Sequence, residues 1–375
     1  MRQLVSVADI TYAANRRSAL KTRGIAKEMV GEWAAVEIEA SSDVRTLADG
    51  HPLFAITAGM TELPLVLVTE DTDAKPLAWL KERARVIEAP PDSAEFIAVL
   101  PDIVGLVVRT YTKVNDALLA RCPKLKVVGR GGVGIENIDV KACRARGVEV
   151  VYTPDANSLA VGDFVIGFAL QLLRPWALFK ERVYEPKEFR HVRDTLRGVQ
   201  MNELTMGIVG LGRVGRRVGH IATNGFGMRV IYNDLLDVQS QLKFLATAVD
   251  KPTLFREADI VTLHVDMKPG NEHMVSTPLL SLMKPAAILI NTCRGEVLDD
   301  AALATAIRDK KIAGAAIDVF DPEPPKADYP LLGFDNVLLT PHMAARTYTA
   351  VENMSWVVRD VLDVLEGRKP KYPAP

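Results

Sequence analysis

The chain is poor in cysteine. Three stand in 375 residues, Cys122, Cys143 and Cys293, far apart and without metal-ligand spacing. That argues against a disulfide framework or a metal centre and fits a reducing compartment. Net charge is equally scarce: 46 Lys and Arg face 47 Asp and Glu, a formal −1. Nothing there suggests nucleic acid or an anionic membrane surface as a partner. No apolar run is long enough to span a bilayer, and the N-terminus has no continuous apolar signal core. Arg16, Arg17, Lys21 and Arg23 faintly resemble an organelle-targeting face, which Asp9 and the acids from Glu28 onward weaken. A soluble cytoplasmic protein is the expectation. There is no internal repeat and no low-complexity segment. What the chain does have is 48% hydrophobic residues, ample for the cores of two domains at this length.

The most informative stretch runs from Thr205 to Asp234. An apolar run, Met206 to Val209, reads as a buried parallel strand. Gly210, Gly212 and Gly215 follow at GxGxxG spacing, and Val214, Val218 and Ile221 then recur at helical intervals. Gly210 permits a tight turn, Gly212 lets the backbone approach a pyrophosphate, and Gly215 lets the helix pack on the strand. The helix start, with Arg213 and Val214, offers N–H groups and partial positive charge to phosphates. A second apolar run ends at Asp234, 19 residues past Gly215. An acid at that distance meets the adenosine ribose hydroxyls and disfavours a 2′-phosphate, which points to NAD rather than NADP. A glycine-rich turn in some other α/β protein is the plainer alternative; strand, helix, second strand and acid in sequence argue against it.

Residues 1–63 read as an N-terminal extension, with a helix possible over Ala26 to Val36. From Pro64 strands and helices alternate: strands at Leu65 to Val68, Arg85 to Ile87, Val104 to Arg109, Lys126 to Val128 and Val148 to Val151. Ser93 caps one intervening helix, and Gly147 ends another. Ser158 to Leu173 is a long apolar helix between domains, and Trp176 to Glu203 a charged, irregular connection. Past Asp234, strands are expected at Asp259 to Val265, Ala286 to Asn291, Ala313 to Phe320 and Asn336 to Leu339, six in all with the two of the glycine motif. Ser276 before Thr277-Pro278, and Asp299-Asp300, mark helix starts. Thr347 to Leu365 is one final helix returning to the first domain. The fold class is α/β: two Rossmann-like, doubly wound parallel-sheet domains. The discontinuous one spans 64–157 and 346–375, and the NAD-binding one 158–345.

Ligands of open parallel sheets bind beyond the carboxyl ends of the strands. That edge holds the Gly210 turn, Asn291 to Gly295, Asp318 to Pro325 and Thr340-Pro341-His342. Arg294, Glu323 and His342 therefore converge near the nucleotide. A cation, a carboxylate and an imidazole beside a nicotinamide suit reduction of a 2-oxo acid: His342 as proton donor, Glu323 orienting it, Arg294 gripping the substrate carboxylate and polarising the carbonyl. His264, ending a strand, can touch the cofactor by position, as can Thr292, Cys293 and Ala344 on the same edge. His51, His191, His220 and His273 have no such context.

These stretches resemble the D-isomer-specific 2-hydroxyacid dehydrogenase family. The motifs VGRGGVGIENID, GIVGLGRVG, ADIVTLHV, LINTCRGEVLD, AAIDVFDPEPP and LLTPHMA cover Pro64 to Gly367 in the family's order. The resemblance implies catalysis by Arg294, Glu323 and His342. It also implies a nicotinamide-carboxamide contact at Asp318, a main-chain carboxylate site at Val133-Gly134, and a homodimer. The chain departs from the family at Glu136, where aspartate is usual, and at Cys293, Gly162-Asp163 and Asp266. Its segment from Val107 to Val114 resembles the substrate loop of phosphoglycerate dehydrogenases. Arg109 there could bind a second substrate anion or pair with an acid at the hinge, and Tyr111 would narrow the cleft. Two functions follow: an NAD-dependent oxidoreductase of D-2-hydroxy acids, or an NAD(H)-sensing regulatory or corepressor-like protein on the same fold. NADH consumption with a panel of 2-oxo acids separates them. Formate oxidation is disfavoured because Glu323 stands where glutamine is expected.

Overall fold

Short aliphatic runs with no polar interruption can be buried on both faces, and parallel sheets are built from such runs. The computed structural model describes residues 62–174, 185–195 and 197–375. The expected N-terminal extension and its Ala26 to Val36 helix lie outside them.

Five strands form the first sheet: β1 (Leu65–Val68), β2 (Arg85–Glu88), β3 (Gly105–Val108), β4 (Val127–Arg130) and β5 (Glu149–Tyr152). All pair in parallel, in the order β2-β1-β3-β4-β5. The helices between them start on side-chain caps: Asp73, Ser93, Asn115 and Asp139 each accept a backbone N–H of the first turn. Gly147 ends one of them at φ +73°.

The second sheet holds β6 (Thr205–Val209), β7 (Arg229–Asn233), β8 (Thr247–Ala248), β9 (Ile260–Leu263), β10 (Ile288–Asn291), β11 (Gly314–Ile317) and β12 (Val337–Leu339). It too is wholly parallel, in the order β12-β11-β10-β9-β6-β7-β8. The sequence leads one to expect six strands; the seventh, β8, is two exposed residues and leaves no periodic signal. The apolar helix Ser158–Leu173 lies as expected and packs its buried face, including Val165, Phe168 and Ala169, on this sheet's core.

Three further local expectations need correction. The connection read as irregular contains a helix, Pro186–Thr195, whose proline sits at the first helical position. Ser276 occupies a helix N-cap but makes no capping bond. The final helix is two, Tyr348–Ser355 and Val357–Leu365. The break falls at Trp356, where ψ is 0°. No proline or glycine marks it. Tertiary contacts hold the bend: Ser355 Oγ accepts from the Asp73 N–H at 3.0 Å, and the Trp356 ring meets Trp79 edge-on at 5.9 Å. The second piece returns to the first sheet, burying Val357, Val358, Val361 and Leu362 with Val66, Val127 and Val151. The chain then runs along the sheet edge, where the Ala374 N–H donates to the Val150 carbonyl at 2.7 Å.

Candidate active site

The glycine motif builds a cradle. Gly210 turns at φ +88°, and a Cβ there would lie 2.4 Å from the His264 carbonyl oxygen. A Cβ on Gly215 would lie 2.1 Å from the Gly210 carbonyl oxygen, while around Gly212 there is open space. No side chain caps the helix Arg213–His220 that follows. Its first-turn N–H groups are therefore left for an anion. Arg213 forms an ion pair with Asp155 of the preceding connection. One turn on, Arg217 donates to Asp163 at 3.0 Å, and its stem lies where a Cβ on Gly162 would be. That accounts for the Gly162-Asp163 departure.

Asp234 stands at the end of β7 beside the cradle. Its Oδ2 accepts from the Leu211 N–H at 2.6 Å and its Oδ1 from the Leu236 N–H at 2.9 Å. The carboxylate is thus fixed against the turn that would carry the phosphates. NADH should be preferred over NADPH by on the order of 10²-fold in kcat/KM, because a 2′-phosphate would face a fixed like charge. Asp234→Ser should erase most of that preference. Steady-state rates with both cofactors decide it, and equal use of the two by the wild type would remove Asp234 from this role.

The neighbouring loops line the same edge. His264 donates its backbone N–H to Val209 and places Nε2 2.9 Å from Thr262 Oγ1. Burial pushes its imidazole pKa down to about 3, so the ring is neutral. The Thr292 hydroxyl is buried with no partner among the described residues. The Cys293 thiol donates to Asn291 Oδ1 at 3.1 Å, and burial raises its pKa, so it is a packing residue and no thiolate.

Asn291 itself was not anticipated. It is fully buried at the end of β10, and its amide donates to the Arg294 carbonyl at 2.9 Å while its Oδ1 accepts from the Cys293 N–H at 3.1 Å. An asparagine closing an otherwise aliphatic strand was the available signal. It shapes the loop that presents Arg294. That guanidinium meets the Glu136 carboxylate at 2.9 and 3.1 Å. Burial opposes the Arg294 charge, but Glu136 more than offsets it and the pKa is raised.

The imidazole and its carboxylate are joined directly. His342 Nδ1 lies 2.8 Å from Glu323 Oε2 and 3.0 Å from Oε1. Glu323 Oε1 also accepts from the Phe320 N–H at 3.1 Å. Burial works against the Glu323 charge, yet the bond and charge of His342 hold its carboxyl below the usual range, with Arg294 adding to the effect. All three groups therefore share one electrostatic neighbourhood. With Nδ1 on Glu323, Nε2 is the nitrogen left to face a substrate.

Asp318 fixes the histidine. It is fully buried at the end of β11, its carbonyl accepts from the His342 N–H at 2.8 Å, and its Oδ1 accepts from Thr340 Oγ1 at 2.5 Å and the Met343 N–H at 2.8 Å. Oδ2 takes the Ala344 N–H at 2.9 Å, which leaves one lone pair there for a carboxamide. This web holds His342 at φ +49°.

On the first sheet's edge, the N–H groups of Val133 and Gly134 donate to no described group. Arg109 is only 12% exposed, donates to the Asp71 carbonyl at 3.1 Å and lies 3.9 Å from the Asp71 carboxylate. The structure thus pairs it with an acid. Tyr111 is 74% exposed. Sequence reasoning missed Glu70, whose carboxylate accepts the N–H groups of Arg109, Thr110, Tyr111 and Thr112 and so sets the loop's course.

Residues 166–344 match the family model for the D-isomer specific 2-hydroxyacid dehydrogenase NAD binding domain. A (S)-sulfolactate dehydrogenase of Chromohalobacter salexigens is 34% identical over 79% of this chain and 96% of its own length. The chain belongs to the D-isomer-specific 2-hydroxyacid dehydrogenase family. A D-3-phosphoglycerate dehydrogenase of Synechocystis is 35% identical over 80% of this chain, which spans only 54% of that relative's length. A crystal structure of an NADPH-dependent glyoxylate/hydroxypyruvate reductase from Sinorhizobium meliloti, with NADP and malonate, superposes at TM-score 0.71. It has 29% identity and covers 83% of this chain and 96% of that one. The family's second lobe is a nicotinamide-dinucleotide domain, and the cradle at Gly210 to Gly215, the buried unpartnered Thr292 hydroxyl and the free first-turn N–H groups fit one. Among the described residues no helix is long and apolar enough to cross a membrane, and no cluster of His, Cys, Asp or Glu could hold a metal.

Proposed function

We propose that this chain is an NAD-dependent oxidoreductase that interconverts a 2-oxo acid and a D-2-hydroxy acid. The observation that carries the reading is the His342–Glu323 pair, with Arg294 in its field, on the edge that also holds the dinucleotide cradle. Residues 64–157 and 346–375 would form the substrate lobe and 158–345 the cofactor lobe. Bound there, the dinucleotide supplies or accepts the hydride. The protein's part is charge and protons. During reduction negative charge grows on the carbonyl oxygen. Arg294 opposes it and grips the carboxylate, aided by the Val133 and Gly134 N–H groups. His342 donates its proton from Nε2 to that oxygen, and Glu323 stabilises the protonated ring beforehand. In oxidation the same ring takes the proton back. Asp318 would hold the carboxamide with its remaining lone pair. A cytoplasmic homodimer completes the reading, and light scattering checks its size.

The test is NADH oxidation with a panel of 2-oxo acids: glyoxylate, hydroxypyruvate, pyruvate, and phosphorylated and sulfonated analogues. Turnover with any supports the dehydrogenase. Tight NADH binding with no turnover supports the sensor reading.

Glu323→Gln gives a finer check. The carboxylate, held low in pKa, stays charged across the working range and is lost only as pH falls through that lowered value. Removing it takes away the partner of the imidazolium. Reduction should therefore slow, with kcat falling while the NADH Kd holds. An unchanged kcat in Glu323→Gln would break the pairing.

A further inference from the structure

Glu136 and Arg294 stand on different lobes, one beyond β4 and the other beyond β10. Glu136 takes one edge of the guanidinium, with Nε donating to Oε1 at 2.9 Å and Nη2 to Oε2 at 3.1 Å. Nη1 donates to the Cys293 carbonyl at 2.5 Å. An arginine carries five N–H bonds in a rigid planar fork. Three are committed here. The two that remain are one on Nη1 and one on Nη2. Glu136 and the Cys293 carbonyl fix the plane in which they lie. Nη2 also sits 1.9 Å from where a Cβ on Gly134 would be. The guanidinium is therefore laid against the backbone that offers its free N–H groups to a substrate.

Charge demands such a partner. The nearby Arg130 is half-buried, its buried Nε has no hydrogen-bond partner among the described residues, and it donates through Nη1 to the Gly131 carbonyl at 3.0 Å. Burial first, and the field of Arg294 second, pull its pKa down to about 10. Two guanidiniums confined together repel. Glu136 supplies the counter-charge to both.

We propose that Glu136 is a positioning residue that holds Arg294 across the lobe boundary, so that its two remaining N–H bonds meet the substrate's carboxylate and carbonyl. The proposal rests on reading Arg294 as the substrate-binding group. A mere clasp between lobes makes a different prediction. Losing a clasp would disturb cofactor binding along with activity. Losing a positioner would weaken only the steps that use Arg294.

The test uses the full chain with Glu136→Ala, Glu136→Gln and Glu136→Asp. Three quantities are measured: kinetics with an accepted 2-oxo acid, the NADH Kd from fluorescence, and oxamate binding to the enzyme–NADH complex. Oxamate, an isostere of a 2-oxo acid, reports the Arg294 grip without turnover. In Glu136→Ala, kcat/KM should fall on the order of 10²-fold, as for a small misplacement of a reacting group, with KM rising more than kcat falls. Oxamate affinity should drop about tenfold or more while the NADH Kd stays within about twofold. Glu136→Gln, which keeps the shape without the charge, should behave like the alanine variant. Glu136→Asp, which keeps the charge, should recover most oxamate binding. Unchanged oxamate affinity in Glu136→Ala overturns the proposal, and so does an equal loss of NADH affinity. A wild type that binds oxamate but reduces nothing removes the dehydrogenase reading and leaves the assignment of Glu136 to the oxamate measurement. A wild type that binds neither removes both.

Discussion

Alanine at His342 is expected to lower kcat for 2-oxo-acid reduction by about 10²–10⁴-fold, the usual share of a positioned general acid. NADH binding should stay near that of the wild type, because the ring's contact is with Glu323 and not with the glycine cradle. The variant needs a control. His342 sits at φ +49°, a conformation that strains alanine as well. Asparagine tolerates that region and carries no proton to donate at working pH. His342→Asn should keep the turn held by Asp318 and still lose the same activity. Pre-steady-state rates of NADH consumption, with NADH affinity measured alongside, decide it. Retention of most turnover in His342→Asn would take the proton donor away from this residue.

The second large effect belongs to Arg294. Arg294→Ala should lower kcat/KM on the order of 10²–10³-fold, since both the carboxylate grip and the stabilisation of charge on the carbonyl oxygen are lost. KM should rise and kcat fall together. Arg294→Lys keeps a charge but loses the planar fork, and it cannot meet Glu136 along one edge and a substrate at the other. It should lie closer to alanine than to the wild type. Removal of the guanidinium also leaves Glu136 without its partner, and that carboxyl is held below its usual range, against burial, by Arg294. In Arg294→Ala, Glu136 should therefore take up a proton at higher pH than it does in the wild type. Stopped-flow NADH titration and steady-state kinetics on both variants test the set. Near-normal turnover in Arg294→Ala would take the substrate grip and the charge stabilisation away from this residue.

The chain by itself determined the two parallel α/β sheets and the glycine turn, and it put three ionisable side chains just beyond strands of one sheet. The reason is local: β6, β9 and β10 are largely apolar runs buried along their whole length, the glycines are demanded by a turn and a close approach, and parallel topology sends every following loop to one edge. Arg294, Glu323 and His342 lie just beyond strands of one sheet, so their convergence can be read without coordinates. What only the tertiary structure decided concerns partners from separate segments. Arg109 could have faced a substrate or an acid; Asp71, from the loop after β1, took it. Glu136 was a one-methylene departure until the two lobes brought it to Arg294. Asp318 and Glu70 each bind several N–H groups of a distant loop, and no spacing in the sequence announces such a bond. The bend at Trp356 has the same origin, a hydroxyl and two indole rings meeting across the fold where the sequence carries neither proline nor glycine. Backbone periodicity is written residue by residue along the chain, whereas the pairing of a charge is settled by whichever group folding delivers within hydrogen-bond reach.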